Sequence, residues 1–191
     1  MVLTRKCGII LIVFLSAFCF LFGCNKKNDN ITKEKEYEQI LQNDEFAGYS
    51  YIYIDINSDK KDELIIMTGT AHSSGGKIYA YCDNQVIEIF ADNESEFGGY
   101  GSFYYDKRGY VIEYYDNCDG QNVNNYTFIY DFDGKKLALV YELETICNMD
   151  TLEYKYLLDG KVVTEEEYKK ILESFDIICI NIYDCKKIED L

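Results

Sequence analysis

The sequence predicts a mainly β (α+β) domain: antiparallel β-hairpins strung into a meander, forming one curled sheet or an open barrel, with a short helix near each end. Three observations carry that expectation. From Tyr49 to Leu158 the pattern has period two, in runs such as Tyr51-Ile52-Tyr53-Ile54-Asp55 that are rich in β-branched and aromatic side chains. Turn pairs recur roughly every 25 residues, at Asp59-Lys60, Asp83-Asn84, Arg108-Gly109, Asp133-Gly134 and Asp159-Gly160. Asp, Asn and Gly supply the positive backbone dihedrals that tight hairpins need. Helical spacing is confined to the flanks of this region. With 191 residues, 48% of them hydrophobic and 28% charged, the composition is that of one globular domain able to bury a core.

The chain opens on Arg5 and Lys6, then runs from Cys7 to Phe22 without a charged side chain, ending in Leu21-Phe22-Gly23-Cys24. A basic start and a short apolar core make an export signal, and about 16 residues is near the lower limit for a spanning helix. Leu21, Gly23 and Cys24 resemble the lipobox of bacterial lipoprotein signal peptides, which places a branched apolar residue three before the modified Cys and a small one just before it. The resemblance implies that residues 1–23 are a cleaved signal peptide and that the Cys24 sulfur carries a diacylglyceryl group. Two acyl chains anchor a protein durably where one does so marginally. The alternative is an uncleaved signal anchor. Both place the body on the extracytoplasmic face of the cell membrane.

Residues 24–31 then read as the lipidated Cys and a polar tether, and residues 32–191 as a single β-rich globular domain. The charge balance is 19 Lys+Arg against 34 Asp+Glu, a net −15. Cleavage would remove two positive charges and no negative one. Nucleic acid is excluded as a partner, because no basic excess offsets phosphate repulsion. Unaided binding to anionic lipid is excluded on the same ground. The expected partners are the membrane, through the lipid anchor, and an extracytoplasmic ligand or protein.

Of eight cysteines, Cys82, Cys118, Cys147, Cys179 and Cys185 remain once Cys24 is acylated and the leader is gone. An odd number excludes a complete intramolecular disulfide framework, and no spacing matches a zinc site. Buried thiols, or one disulfide, are the readings left.

After the tether, Thr32 to Leu41 reads as a short helix with Tyr37, Ile40 and Leu41 on one face. The clearest hairpins pair Lys77–Cys82 with Gln85–Phe90, Ser102–Asp106 with Tyr110–Tyr115, and Tyr126–Tyr130 with Leu137–Tyr141. Thr164-Glu165-Glu166-Glu167 is a capping box, opening a helix through Tyr168, Ile171, Leu172 and Phe175. Ile177 to Tyr183 is a terminal strand, apolar enough to lie inside or beside the sheet.

Asp55-Ile56-Asn57-Ser58-Asp59-Lys60-Lys61-Asp62-Glu63-Leu64 carries the best chemical signal. Side-chain oxygens at loop positions one, three, five and nine can converge on one cation. Ca²⁺ takes six to eight oxygens, which Asp55, Asn57, Asp59, the Lys61 carbonyl, Glu63 and water approach. An EF-hand fails, since Ile66 stands where its Glu is required and strands replace its helices. The strand, acidic loop and Glu63-Leu64-Ile65-Ile66 strand resemble the calcium loops of FG-GAP and VCBS-type β repeats, which makes Ca²⁺ the candidate cofactor. Lys60 stands where such loops carry Gly, at a cost of roughly 1–2 kcal/mol for a left-handed conformation. An Asn/Asp turn held by its own backbone, without metal, is the competing reading.

Other candidates are weaker. His72-Ser73-Ser74 invites a hydrolase reading, but adjacency in sequence is not triad geometry. Gly98-Gly99-Tyr100-Gly101-Ser102 lacks the Lys and the helix of a phosphate loop and reads as a turn or bulge. Glu94 and Glu96 could form an acid/base pair. The 19 Tyr and 11 Phe matter only if they form a contiguous exposed patch. The expected function is a lipid-anchored, non-catalytic binding or envelope-associated protein. The alternative is a carboxylate-dependent hydrolase of envelope or carbohydrate substrate, using the loop from Asp92 to Ser102. A structural or assembly factor is the third reading. A deep polar cleft at Glu94 or His72 would favour catalysis, and a broad aromatic face would favour binding.

Overall fold

A computed structural model describes residues 26–91 and 96–188. The leader, Leu21, Gly23, Cys24 and the part of the hydrolase loop from Asp92 to Ser95, Glu94 included, lie outside the described residues. Among those described, no helix is long and apolar enough to cross a membrane.

The protein is mainly β, with antiparallel pairing throughout, and the meander divides between two open sheets. The first sheet has the order β12-β1-β2-β3-β4, formed by β1 (Ser50–Ile54), β2 (Glu63–Met67), β3 (Gly76–Cys82), β4 (Gln85–Ile89) and β12 (Lys186–Lys187). The second has the order β10-β9-β8-β7-β6-β5-β11. Its strands are β5 (Ser102–Asp106), β6 (Tyr110–Cys118), β7 (Asn122–Phe132), β8 (Leu137–Asn148), β9 (Tyr154–Leu158), β10 (Lys161–Val163) and β11 (Ile178–Asn181). Neither sheet closes into a barrel.

Helix α1 (Lys26–Leu41) begins inside the stretch read as tether, so that stretch is helical from Lys26 onward. Helix α2 (Glu165–Leu172) starts at the expected capping box: the Glu167 amide donates to Thr164 Oγ1 at 3.2 Å, and the Thr164 amide donates to Glu167 Oε2 at 2.9 Å.

Alternation along the strands builds four layers. Every residue of β2 is buried, because both of its faces are covered. Leu64 and Ile66 pack with Tyr37 of α1, Phe46 and Tyr79. Ile65 and Met67 point the other way, into the main core, where Phe103, Tyr105, Val111, Tyr130 and Phe132 of the second sheet meet them. The far face of the second sheet carries Ile112, Ile129 and Leu143 against Tyr168 of α2 and the nearby Phe175. The order is helix, sheet, sheet, helix, each pair sealed by apolar burial.

Turn chemistry follows the expected residues. Asp83 and Asn84 have φ of 51° and 65°, and Asp159 and Gly160 have 47° and 73°, each pair closing a two-residue hairpin between β3 and β4 or between β9 and β10. The turn after β5 is locked by Asp106, which is 1% exposed. Asp106 accepts from the Arg108 amide and guanidinium and from the Asp176 amide, and Arg108 Nη2 also donates to the Ser174 carbonyl at 2.7 Å. These hydrogen bonds, the Arg108 guanidinium first, hold the Asp106 carboxyl down at about 2. They tie the segment after α2 to the β5–β6 turn.

Candidate functional site

The acidic loop links β1 to β2, and its side chains turn toward its own backbone. The Asp59 amide donates to both Asp55 Oδ1 (3.0 Å) and Asn57 Oδ1 (3.2 Å), so those two oxygens are neighbours. The Lys60 amide donates to Asp55 Oδ2 at 2.9 Å, and the Lys61 amide to Asp59 Oδ1 at 2.8 Å. Ser58 and Lys60 both adopt positive φ, 59° and 70°, so the loop takes the left-handed turn in spite of the lysine. The Lys61 ammonium lies 3.5 Å from Asp59 Oδ2. Among the described residues, no group of three or more His, Cys, Asp or Glu side chains is placed to hold a metal ion.

Glu63 stands apart from the other loop carboxylates. It is 4% exposed, and its Oε2 accepts from the Ile56 amide at 3.1 Å. Burial, followed by the negative charges of Asp59 and Asp55, pushes its carboxyl up to about 7 against the Ile56 hydrogen bond and Lys33. Glu63 also lines a cavity of about 770 Å³ with Lys33, Asp59, Lys135 and the β3–β4 turn.

The sole His and the glycine-rich segment, far apart in sequence, meet in space. His72 Nε2 lies 2.8 Å from Asp116 Oδ1, and the Tyr100 hydroxyl donates to the same oxygen at 3.4 Å. The His72 ring stands edge-on to Tyr100 at 4.8 Å and to Tyr115 at 5.8 Å. Residues 99–102 form a tight turn, with Gly99 and Ser102 exchanging backbone hydrogen bonds. Tyr100 is held there at φ 52° and is 60% exposed. A non-glycine residue in that conformation carries strain of roughly 1–2 kcal/mol, and such strain concentrates at functional positions. Asp116 was absent from the residues singled out in sequence, because its pairing with His72 spans 44 residues.

The patch continues as an aromatic face. Tyr115 on β6 sits opposite Tyr126 on β7, their rings 5.9 Å apart, and Tyr126 lies parallel to Phe128 at 6.1 Å and 3°. These rings occupy the inner face of the second sheet, where it extends past the edge of the first. Phe128 still touches the main core, whereas Tyr115 is 46% exposed. His72 and Asp116 are half-exposed beside this face, an open surface rather than a deep cleft.

The remaining sequence candidates separate. Glu96 Oε2 accepts from Thr68 Oγ1 at 2.7 Å. Ser73 is exposed, and Ser74 caps the turn in which its amide donates to the Ala71 carbonyl. The expectation of buried thiols needs correction: Cys82, Cys118, Cys147, Cys179 and Cys185 are free, but Cys118 and Cys179 are exposed and the others half-buried. Cys118 and Cys147 both sit opposite Val123, one on each flanking strand, with a whole strand between them.

The Glu63 geometry fixes a sign. A carboxyl whose folded pKa is raised favours folding while protonated, and that contribution is lost as pH rises from about 4.5 through about 7. Glu63→Gln keeps an acceptor for Ile56 and cannot ionise. In urea titrations the variant should match the parent near pH 5 and exceed it near pH 8 by on the order of 2–3 kcal/mol; equal stability at pH 8 contradicts this.

No protein-family model, curated protein or solved structure matches this chain.

Proposed function

We propose that the protein is a lipid-anchored extracytoplasmic binding protein that engages an envelope ligand through the aromatic face centred on Tyr100, Tyr115 and Tyr126. The observation that carries the binding half is the contiguity of those rings with His72 and Asp116 on an open surface. Two exposed rings and a half-buried one, with hydrogen-bonding groups at their margin, suit recognition rather than bond cleavage. The anchoring half rests on Leu21-Phe22-Gly23-Cys24 and the preceding uncharged run.

Two measurements test it. Cells fed labelled palmitate should yield labelled protein, and Cys24→Ala should carry no label; label on the variant, or a native chain that retains Met1 unmodified, contradicts anchoring. Detergent-solubilised protein should co-sediment with isolated envelope material, and Tyr115→Ala combined with Tyr126→Ala should abolish this while leaving the thermal midpoint within a few degrees. Unchanged sedimentation of that variant goes against the face.

The acidic loop contributes a calcium reading. Asp55 and Asn57 already place two oxygens side by side on the Asp59 amide, and extracellular Ca²⁺ sites operate at dissociation constants of roughly 10⁻⁴–10⁻³ M. Bound there, Ca²⁺ would offset the repulsion among Asp55, Asp59 and Glu63. Millimolar Ca²⁺ should raise the thermal midpoint, more at pH 8 than at pH 5 because Glu63 is then ionised. Asp55→Ala should remove the gain. Absence of any shift at pH 8 leaves the loop as a metal-free turn.

A further inference from the structure

The second sheet is wider than the first, and the uncovered part of its inner face has a composition of its own. Register places Tyr115, Tyr126, Glu144, Leu157 and Val162 directly opposite one another across β6 to β10, so all five share one face. In the neighbouring row Glu142 lies opposite Phe128. Rings stand at one end, aliphatic side chains at the other, and two carboxylates between. Val162 is 65% exposed, Tyr126, Glu142 and Glu144 are half-buried and Leu157 is buried, and neither glutamate belongs to any ion pair among the described residues.

We infer that this face binds an extended basic polypeptide segment, lysine or arginine side chains lying over Tyr115 and Tyr126 with their charged heads at Glu142 and Glu144. The inference rests on the binding role proposed above and names its ligand class. Three features select the occupant. Cations are attracted both to ring faces and to carboxylates outside any ion pair, and here the two are adjacent, Glu144 being hydrogen-bonded to Tyr126 itself. A second copy of this chain is disfavoured, because each carries a net charge of −15. The exposed aliphatic side chain of Val162 at the far end suits apolar peptide side chains and offers nothing to the hydroxyls of a neutral glycan. The dimensions agree: five strands at about 4.8 Å span about 19 Å, the length of roughly six extended residues.

Calorimetric titration of the detergent-solubilised full-length protein with octalysine tests this. Octalysine should bind, and binding should weaken about tenfold in Glu142→Gln combined with Glu144→Gln and in Tyr126→Leu. Glu166→Gln combined with Glu173→Gln removes the same charge from α2 and its C-terminal cap, and binding there should stay within about twofold. Equal losses in the two double variants would mean diffuse attraction to an acidic globule and overturn the inference. So would octalysine binding indifferent to Glu142 and Glu144, or none at all. If neutral chitohexaose binds in a Tyr126-dependent way where octalysine does not, the ligand class is wrong and the binding role survives. If neither probe binds and envelope co-sedimentation also fails, the role itself falls.

Discussion

The architecture depends on a close backbone crossing between the two sheets. Phe97 pairs with Gly76 and is wholly buried in the main core. A Cβ at Gly75 would collide with the Phe97 carbonyl, and one at Gly98, where φ is +101°, would collide with the Ser102 carbonyl. Only glycine permits that approach at both positions. Once made, the crossing lets the chain leave the first sheet, drop Phe97 between the layers and start β5. It also brings residues 98–101 against the loop that carries His72, and Tyr100 reaches Asp116 for that reason.

The core and the exposed aromatic face thus share one set of contacts. The crossing that seals the core also sets Tyr100 in its left-handed turn beside the edge of β6, where β5 no longer covers the strand. The inner face continues from buried Val111 and Tyr130 through Phe128 to exposed Tyr115 without a break in strand register. The surface face is an extension of the core, left uncovered because the first sheet has fewer and shorter strands.

Much of the fold was legible because local rules decide it. Asp83-Asn84 and Asp159-Gly160 mark their hairpins, and the box at Thr164 and Glu167 marks its helix, through contacts within four residues. The division into two sheets was hidden, since period-two alternation is identical whichever sheet a strand joins. Gly98-Gly99-Tyr100-Gly101 read correctly as a turn, yet nothing nearby signals that it rests on His72. Tyr126 and Phe128, like Glu142 and Glu144, are visible as alternating pairs, but their apposition depends on register across the β7–β8 hairpin, which includes an irregularity at Ile129/Tyr130. The acidic loop was clear from composition, whereas the burial of Glu63 required the packing of α1.

The segment after α2 serves both layers: β11 completes the second sheet beside β5, and β12 completes the first beside β1. Each sheet therefore waits for partners that emerge from the ribosome after all the other strands. High contact order of this kind slows folding. A nascent chain cannot close either layer until β11 and β12 have been made, so both sheets keep an unpaired edge through most of synthesis.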